Sequence, residues 1–348
     1  MKAAFLTSPR ILELREIPEP NVPDDGLVME IKACGICGSD LRRWNEGPPP
    51  NSEGIVPGHE AAGIVTKVGS KCRNFAVEDK IAIAPDIRCG QCYYCKKELF
   101  NLCDKLHFIG ITPGYPGGFA EQMVITNEII EYGIVNKIPE GLSFTHAAVS
   151  ELCNSVLATH EKTNTDKNDT VVVIGAGPAG CLHIAVAKQR GAKVIVLEIS
   201  YARRQLASKF EPDFVVDASC EDVIEKVREF TNGVGADIVI CANPVAATQT
   251  LAVQMVRKAG KVVLFGGLPK ANPMITLDGN LIHYGEIEVI GAFSYHPKFH
   301  KLSLDLLAEE KLPAGSLITH TFELDKINEA YQTAVSGQAL KVVIEIGR

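Results

Sequence analysis

No stretch of this chain approaches the roughly 20 consecutive apolar residues that a membrane-spanning helix needs, and the opening segment Met1 to Arg10 carries no long apolar run of the secretory type. The expectation is a soluble, unexported, cytoplasmic protein with no membrane partner. Blocks of basic residues are also missing. With 35 Lys and Arg against 42 Asp and Glu, the net charge is −7 and the pI about 5.8, which removes non-specific attraction to polyanions and makes nucleic acid an unexpected partner. Internal repeats and low-complexity segments are absent. A disulfide framework is not supported either, because the 11 cysteines are odd in number and four of them cluster at close spacing, which in a reducing compartment reads as metal binding.

What is present fits about two domains, since 348 residues exceed one ordinary domain and 46% apolar residues suffice for real cores. The first 150 or so residues are rich in Gly and Pro, with short alternating runs such as Val28 to Lys32 and Lys80 to Ala84 bounded by turn residues. This reads as a mostly β domain. A helix is expected over 145–162, and then Thr170 to Ile174 is a continuous apolar run of the buried parallel-strand type. Further strands are expected at Lys193 to Glu198, Phe214 to Val216, Asp237 to Cys241, Lys261 to Phe265 and Ile287 to Gly291. Six such strands with helices between them suit a doubly wound α/β sheet. The tail holds helices near Phe299 to Glu310 and Lys326 to Ser336 and a last strand at Lys341 to Ile346. Being short, it is expected to return to the first domain, giving a discontinuous domain 1–148 plus 292–348 and an inserted domain 149–291.

Chemistry-bearing residues fall into three sets. The run Cys89-Gly-Gln-Cys92-Tyr-Tyr-Cys95, followed after seven residues by Cys103, supplies four thiolates able to close a tetrahedral zinc site. A closed site is structural. Cys37 and the pair His59-Glu60 mix soft and hard ligands, fewer than four in number, and suggest an open zinc site with an exchangeable position, where a bound alcohol oxygen is acidified. The third set is Gly175-Ala-Gly177-Pro178-Ala179-Gly180 at a strand end and helix start. Gly175 permits the tight turn, Gly177 lets the backbone approach a pyrophosphate, and Gly180 allows close helix packing. Glu198, at the end of the next strand, can accept hydrogen bonds from both adenosine ribose hydroxyls and would repel a 2′-phosphate, so NAD is expected over NADP. Arg203 and Arg204 temper that preference, since an arginine can pair with a 2′-phosphate, although Arg203 could equally stack on the adenine.

Gly58-His59-Glu60-Ala-Ala-Gly63 with Gly69, the four-cysteine lobe and the later dinucleotide fold, in that order, resemble the zinc-containing medium-chain dehydrogenase/reductase superfamily along essentially the whole chain. Glu151 resembles its polyol branch, sorbitol dehydrogenase and relatives, more than the ethanol-type enzymes. The resemblance implies a GroES-like catalytic domain, a Rossmann cofactor domain, two Zn²⁺ per chain and NAD. It implies Cys37 and His59 as ligands of the catalytic zinc, with Glu60 or Glu151 completing the shell and Cys153 a further alternative. Cys34, Cys72, Cys153, Cys181, Cys220 and Cys241 otherwise read as ordinary buried thiols. Ser39 resembles the family's proton relay. Arg42 and Arg43 stand where many relatives continue that relay with a histidine; they read as solvated surface charges or as contacts for an acidic or phosphorylated substrate. The implied reaction brings a substrate hydroxyl to zinc, removes its proton through Ser39 and moves hydride from the carbinol carbon to the nicotinamide, in a dry cleft between domains.

Trp44, Phe119 and Tyr295 resemble pocket-lining positions of polyol dehydrogenases, with Ser294 where those enzymes commonly carry arginine, and core packing is their alternative role. The expected substrate is a polyol, sugar alcohol or sugar acid with a secondary hydroxyl. Threonine, simple secondary alcohols and sugar-phosphate alcohols are the alternatives, and a catalytically silent NAD-binding protein is the non-enzyme one. A homo-oligomer is expected, tetramer or dimer by resemblance, with the strand ending at Gly291 at a sheet edge.

Overall fold

The computed structural model describes residues 1–50 and 52–347. They form two compact units, one of Met1–Asn154 with the segment from Tyr295 onward, the other Ser155–Ser294. The sequence set these crossings at 148/149 and 291/292. Among the described residues no helix is long and apolar enough to cross a membrane.

The inserted unit is a six-stranded parallel sheet in the order Phe214–Asp217, Lys193–Glu198, Thr170–Ile174, Ala236–Cys241, Val256–Leu264, Glu288–Gly291. In chain order this is 3-2-1-4-5-6, the doubly wound arrangement. Its central strands are unbroken Val and Ile runs because helices cover both faces of such a sheet. The strand expected from Lys261 begins at Val256, with a register irregularity opposite Ala236 and Ile238. Its Arg257-Lys258-Ala259-Gly260 segment reads as a turn in sequence, and Ala259 does take a positive φ of 54°.

The discontinuous unit is built on a seven-stranded sheet in the order Ile318–Glu323, Lys341–Glu345, Leu27–Gly35, Glu60–Val68, Lys80–Ala84, Ile134–Lys137, with Gln122–Ile125 also pairing with Leu27–Gly35. Only the first pair is parallel. The register sets Gly35 opposite both Glu60 and Val343, so the loop leaving Leu27–Gly35 emerges beside the starts of two other strands. The helix expected over 145–162 is two helices, Phe144–Ala148 and Ser150–Thr163, the first capped by Ser143 Oγ accepting the His146 N–H at 3.1 Å.

Three histidines are fully buried with no charge partner of opposite sign among the described residues. His160 meets Thr165 Oγ1 at 2.9 Å and His183 at 3.2 Å, while His300 sits between Asn136 and Ser150. Burial pushes His160 and His300 down to about 3, and His183 well below its ordinary value. Each therefore stays neutral when folded and gains a proton near pH 6.5 when unfolded. Stability is then full above that pH and falls as pH drops toward 3, with a slope approaching about 1.4 kcal/mol per pH unit for each histidine. Calorimetry between pH 7 and 5, above most carboxylate titration, should show a steadily falling Tm; a constant Tm would contradict it.

Candidate metal centres and dinucleotide loop

The strand Leu27–Gly35 delivers Cys37 as the N-cap of helix Gly38–Glu46, directly beside the start of strand Glu60–Val68. Helix Ser150–Thr163 adds Glu151 in its first turn. One ligand atom each from Cys37, His59, Glu60 and Glu151 lies within 4.8 Å of the others. His59, Glu60 and Glu151 are buried, at 2%, 0% and 9% exposure.

The electrostatics of this group call for a cation. Burial, then the neighbouring Glu60 charge, pushes Glu151 up to about 7. Burial opposes a proton on His59, yet the charges of Asp40 and Cys37 outweigh it and hold His59 well above its usual value. Glu60 Oε2 is fully enclosed with no hydrogen bond of its own among the described residues, facing the Lys341 ammonium at 2.5 Å. A thiolate, an imidazole and two carboxylates crowded this closely fit a divalent zinc ion, which accepts S, N and O donors.

Two residues that support the group carried no functional assignment in the sequence. Asp40 is buried, accepts the Cys37 N–H at 2.9 Å and the Gly58 N–H at 3.3 Å, and places Oδ1 3.4 Å from His59 Nδ1. Its charge favours a proton on Nδ1, while Nε2 lies 3.3 Å from Ser39 Oγ. The spacing Cys37-x-x-Asp40 is that of an N-cap and N3 acid, a signal that could have found it. Lys341, 2% exposed, donates to Glu60 Oε1 at 2.5 Å and to the Ile36 carbonyl at 3.1 Å. Burial opposes its charge, but Glu60 and then Cys37 hold it above its ordinary value. No local pattern marks it.

Cys153, the alternative ligand, is 1% exposed and outside the four-residue group, its thiol pushed well up by burial. Cys34, Cys181 and Cys241 are likewise buried, whereas Cys72 is half-buried and Cys220 is exposed, so the buried-thiol reading does not hold for Cys220. Trp44 and Phe119, expected at the substrate wall, belong to the hydrophobic core, where both rings pack on Tyr331 at 5.6 and 5.9 Å. Tyr295 is 3% exposed and donates its hydroxyl to Glu151 Oε1 at 2.8 Å.

The four sulfurs of Cys89, Cys92, Cys95 and Cys103 also lie within 4.8 Å of one another. Backbone N–H groups point at them: Cys89 and Lys105 donate to Cys103, and Cys95 to Cys92. The Cys95 N–H, foremost, pulls Cys92 down to about 6, while burial and the neighbouring thiols push Cys95 up to about 12. Such oriented N–H groups suit thiolates around a cation.

In the other unit, Gly175 has φ 98°, which a side chain disfavours, and a Cβ on Gly180 would collide with the Gly175 carbonyl. A Cβ on Gly177 would meet nothing within 4 Å, so that position is open to close approach from outside the fold. Gly177 caps the 12-residue helix Pro178–Gln189, with Pro178 and Ala179 in its first turn. Glu198 is 6% exposed; Oε2 accepts the Ala176 N–H and Oε1 the Ser200 N–H, each at 2.8 Å. Both oxygens retain a lone pair for a further donor. Arg204 is engaged by Asp217 Oδ2 and by the carbonyls of Glu198 and Ile199, while Arg203 is half-buried.

Known families match both units: residues 23–140 fit the profile "Alcohol dehydrogenase GroES-like domain" and residues 178–309 fit "Zinc-binding dehydrogenase". The chain is 30% identical to the sorbitol dehydrogenase of Bacillus subtilis (strain 168), over 99% of its own length and 97% of that enzyme's. It is 32% identical to the D-arabitol-phosphate dehydrogenase of Enterococcus avium, over 95% and 92%. A solved structure from Sinorhizobium meliloti 1021, described as a zinc-binding dehydrogenase bound to NADP, has a TM-score of 0.90 at 29% identity, with 99% and 98% of the two chains covered.

Proposed function

Since this chain belongs to the zinc-containing medium-chain dehydrogenase/reductase superfamily, in its polyol dehydrogenase branch, we propose that it reversibly oxidises a secondary hydroxyl of a polyol, sugar alcohol or sugar acid to the ketone, with NAD as acceptor. The observation that carries the reading is the convergence of Cys37, His59, Glu60 and Glu151 within 4.8 Å, with Ser39 Oγ 3.3 Å from His59 Nε2. When bound, zinc supplies Lewis acidity toward the hydroxyl and the nicotinamide takes up the hydride.

The chain's own groups do the rest. Ser39 relays the proton of the reacting hydroxyl, accepting it as its own hydroxyl proton passes on toward the nicotinamide ribose and solvent, being partly buried next to the ligand imidazole and placed by the helix that Cys37 begins. Asp40 holds the His59 ring in one tautomer. Lys341 holds Glu60 at its position through Oε1, so that Glu60 and Glu151 both stand in the cluster as candidate hard ligands. Glu198 orders the glycine loop through Ala176 and offers its remaining lone pairs to the ribose, which supports NAD over NADP.

A phosphorylated polyol is a second reading, favoured by the D-arabitol-phosphate dehydrogenase relative and by Arg42 and Arg43, which follow Ser39 by three and four positions and so share its helix face. One assay separates these readings: NADH formation with NAD and NADP in parallel, across polyols, sugar acids, sugar-alcohol phosphates, threonine and simple alcohols. Chelator-sensitive NAD reduction with an unphosphorylated polyol is the expected result. Activity confined to threonine or simple alcohols would overturn it, and activity confined to phosphates would establish the second reading.

Two zinc ions per chain, one in each cluster, are part of the proposal. Metal analysis should give two equivalents, and Cys95→Ala should retain one while lowering Tm, because a closed zinc site contributes its binding energy to folding. One equivalent in the unaltered chain, or unchanged melting of the variant, would count against it. The homo-oligomer reading is supported by edge strand Glu288–Gly291, whose Val289 is 37% exposed beside Phe293 at 56%. A particle of 37.6 kDa by light scattering at assay concentration would refute it.

A further inference from the structure

The two carboxylates of the catalytic cluster are held by donors of different kinds. Glu60 Oε1 takes a hydrogen bond from the buried ammonium of Lys341, whereas Glu151 Oε1 takes one from the phenol of Tyr295, at 2.8 Å. An ammonium balances a buried charge; a neutral hydroxyl only orients it. Glu151 thus has, among the described residues, no ammonium of its own in hydrogen-bond contact, and its direction is set by the Tyr295 hydroxyl.

We infer that Tyr295 is a positioning residue for the zinc centre: by donating to Oε1 it locks the Glu151 rotamer and so fixes how the carboxylate is presented to the metal. The inference rests on the zinc-centre reading given above. Tyr295 is itself held in place. It is 3% exposed, and the next residue, His296, packs its ring on Phe100 of the cysteine lobe at 4.9 Å, with Arg88 over the same Phe100 ring at 4.4 Å. A phenol whose backbone is anchored this way can hold a carboxylate, while one on a mobile segment could not.

The test replaces zinc by Co²⁺ in the catalytic cluster, with zinc kept in the cysteine lobe. Visible absorption that disappears in Cys37→Ala identifies the centre independently of Tyr295. In Tyr295→Phe, which removes only the hydroxyl, the cobalt bands should shift and release to a chelator should accelerate about 10- to 100-fold, the usual effect of losing an outer hydrogen bond to a ligand. In a Glu151→Ala background the same substitution should change release by less than about twofold, since the pair is then already broken. Glu151→Asp, which draws the carboxylate back by one methylene with Tyr295 intact, should also accelerate release. Unchanged bands and release in Tyr295→Phe, an equal acceleration in the Glu151→Ala background, or wild-type release from Glu151→Asp would each overturn the inference. Absence of cobalt bands from the unaltered protein would instead overturn the zinc-centre reading beneath it.

Discussion

Cys37→Ala is expected to lower kcat/KM by at least about a thousandfold, the consequence of losing several kcal/mol of metal-derived stabilisation, while dinucleotide affinity stays within about twofold. Cys37 is the one soft donor among the four, and without its thiolate the remaining imidazole and carboxylates offer a harder, incomplete set. The dinucleotide loop from Gly175 to Gly180 and Glu198 lie in the compact unit Ser155–Ser294, which has its own core of strand and helix residues. Kinetics with the substrate found in the panel, together with NADH fluorescence titration, measure the two quantities separately. Loss of both from a chain that still melts cooperatively would defeat the assignment, and so would retained turnover.

Replacing Lys341 by methionine should destabilise the metal-free protein by about 3–5 kcal/mol, the range for breaking a buried ion pair from one side. The size follows from enclosure. Lys341 and Glu60 are 2% and 0% exposed, so a Glu60 left alone has no water to turn to and faces Glu151 and Cys37, both of which repel it when ionised. The double variant Lys341→Met with Glu60→Gln should recover most of the loss, because the charge that lacked a partner is gone. Urea unfolding of the single and double variants reads both effects. A Lys341→Met protein as stable as the original, or a double variant less stable than the single, would show that the pair does not carry this role. Added zinc should narrow the gap between Lys341→Met and the unaltered protein, since a bound cation provides Glu60 with another source of balance.

Much of this site is legible in the chain because its signals are local. Four cysteines within 15 positions, a glycine loop at the end of a Val and Ile run, and His59 beside Glu60 are short-range patterns whose chemistry follows from residue type and spacing. The aromatics show the opposite case. Trp44, Phe119 and Tyr295 are alike in sequence as large, amphipathic or apolar side chains, yet two of them pack on Tyr331 in the core and the third holds a carboxylate. Nothing within a few residues of each distinguishes these fates. The start of the strand at Val256 was hidden for a related reason, since Lys258 to Gly260 has the composition of a turn and falls at a register irregularity, with only Val256 and the run from Lys261 pairing with Ala236–Cys241.

The sequence by itself determined the class of fold, the two candidate metal-binding clusters as sets of residue types, and the carboxylate of Glu198 at the end of the strand after the glycine loop, all of which depend on periodicity and spacing along the chain. Tertiary structure alone decided that Lys341, 281 positions beyond Glu60, enters the cluster as its one buried ammonium, and that Tyr295, 144 positions beyond Glu151, is its hydrogen-bond donor. The physical reason is sheet register and burial. Lys341–Glu345 pairs with Leu27–Gly35, which pairs with Glu60–Val68, and only that lateral order sets an ammonium against a carboxylate in a space closed to water. The strength of each contact comes from that enclosure, which no stretch of the chain possesses before it folds.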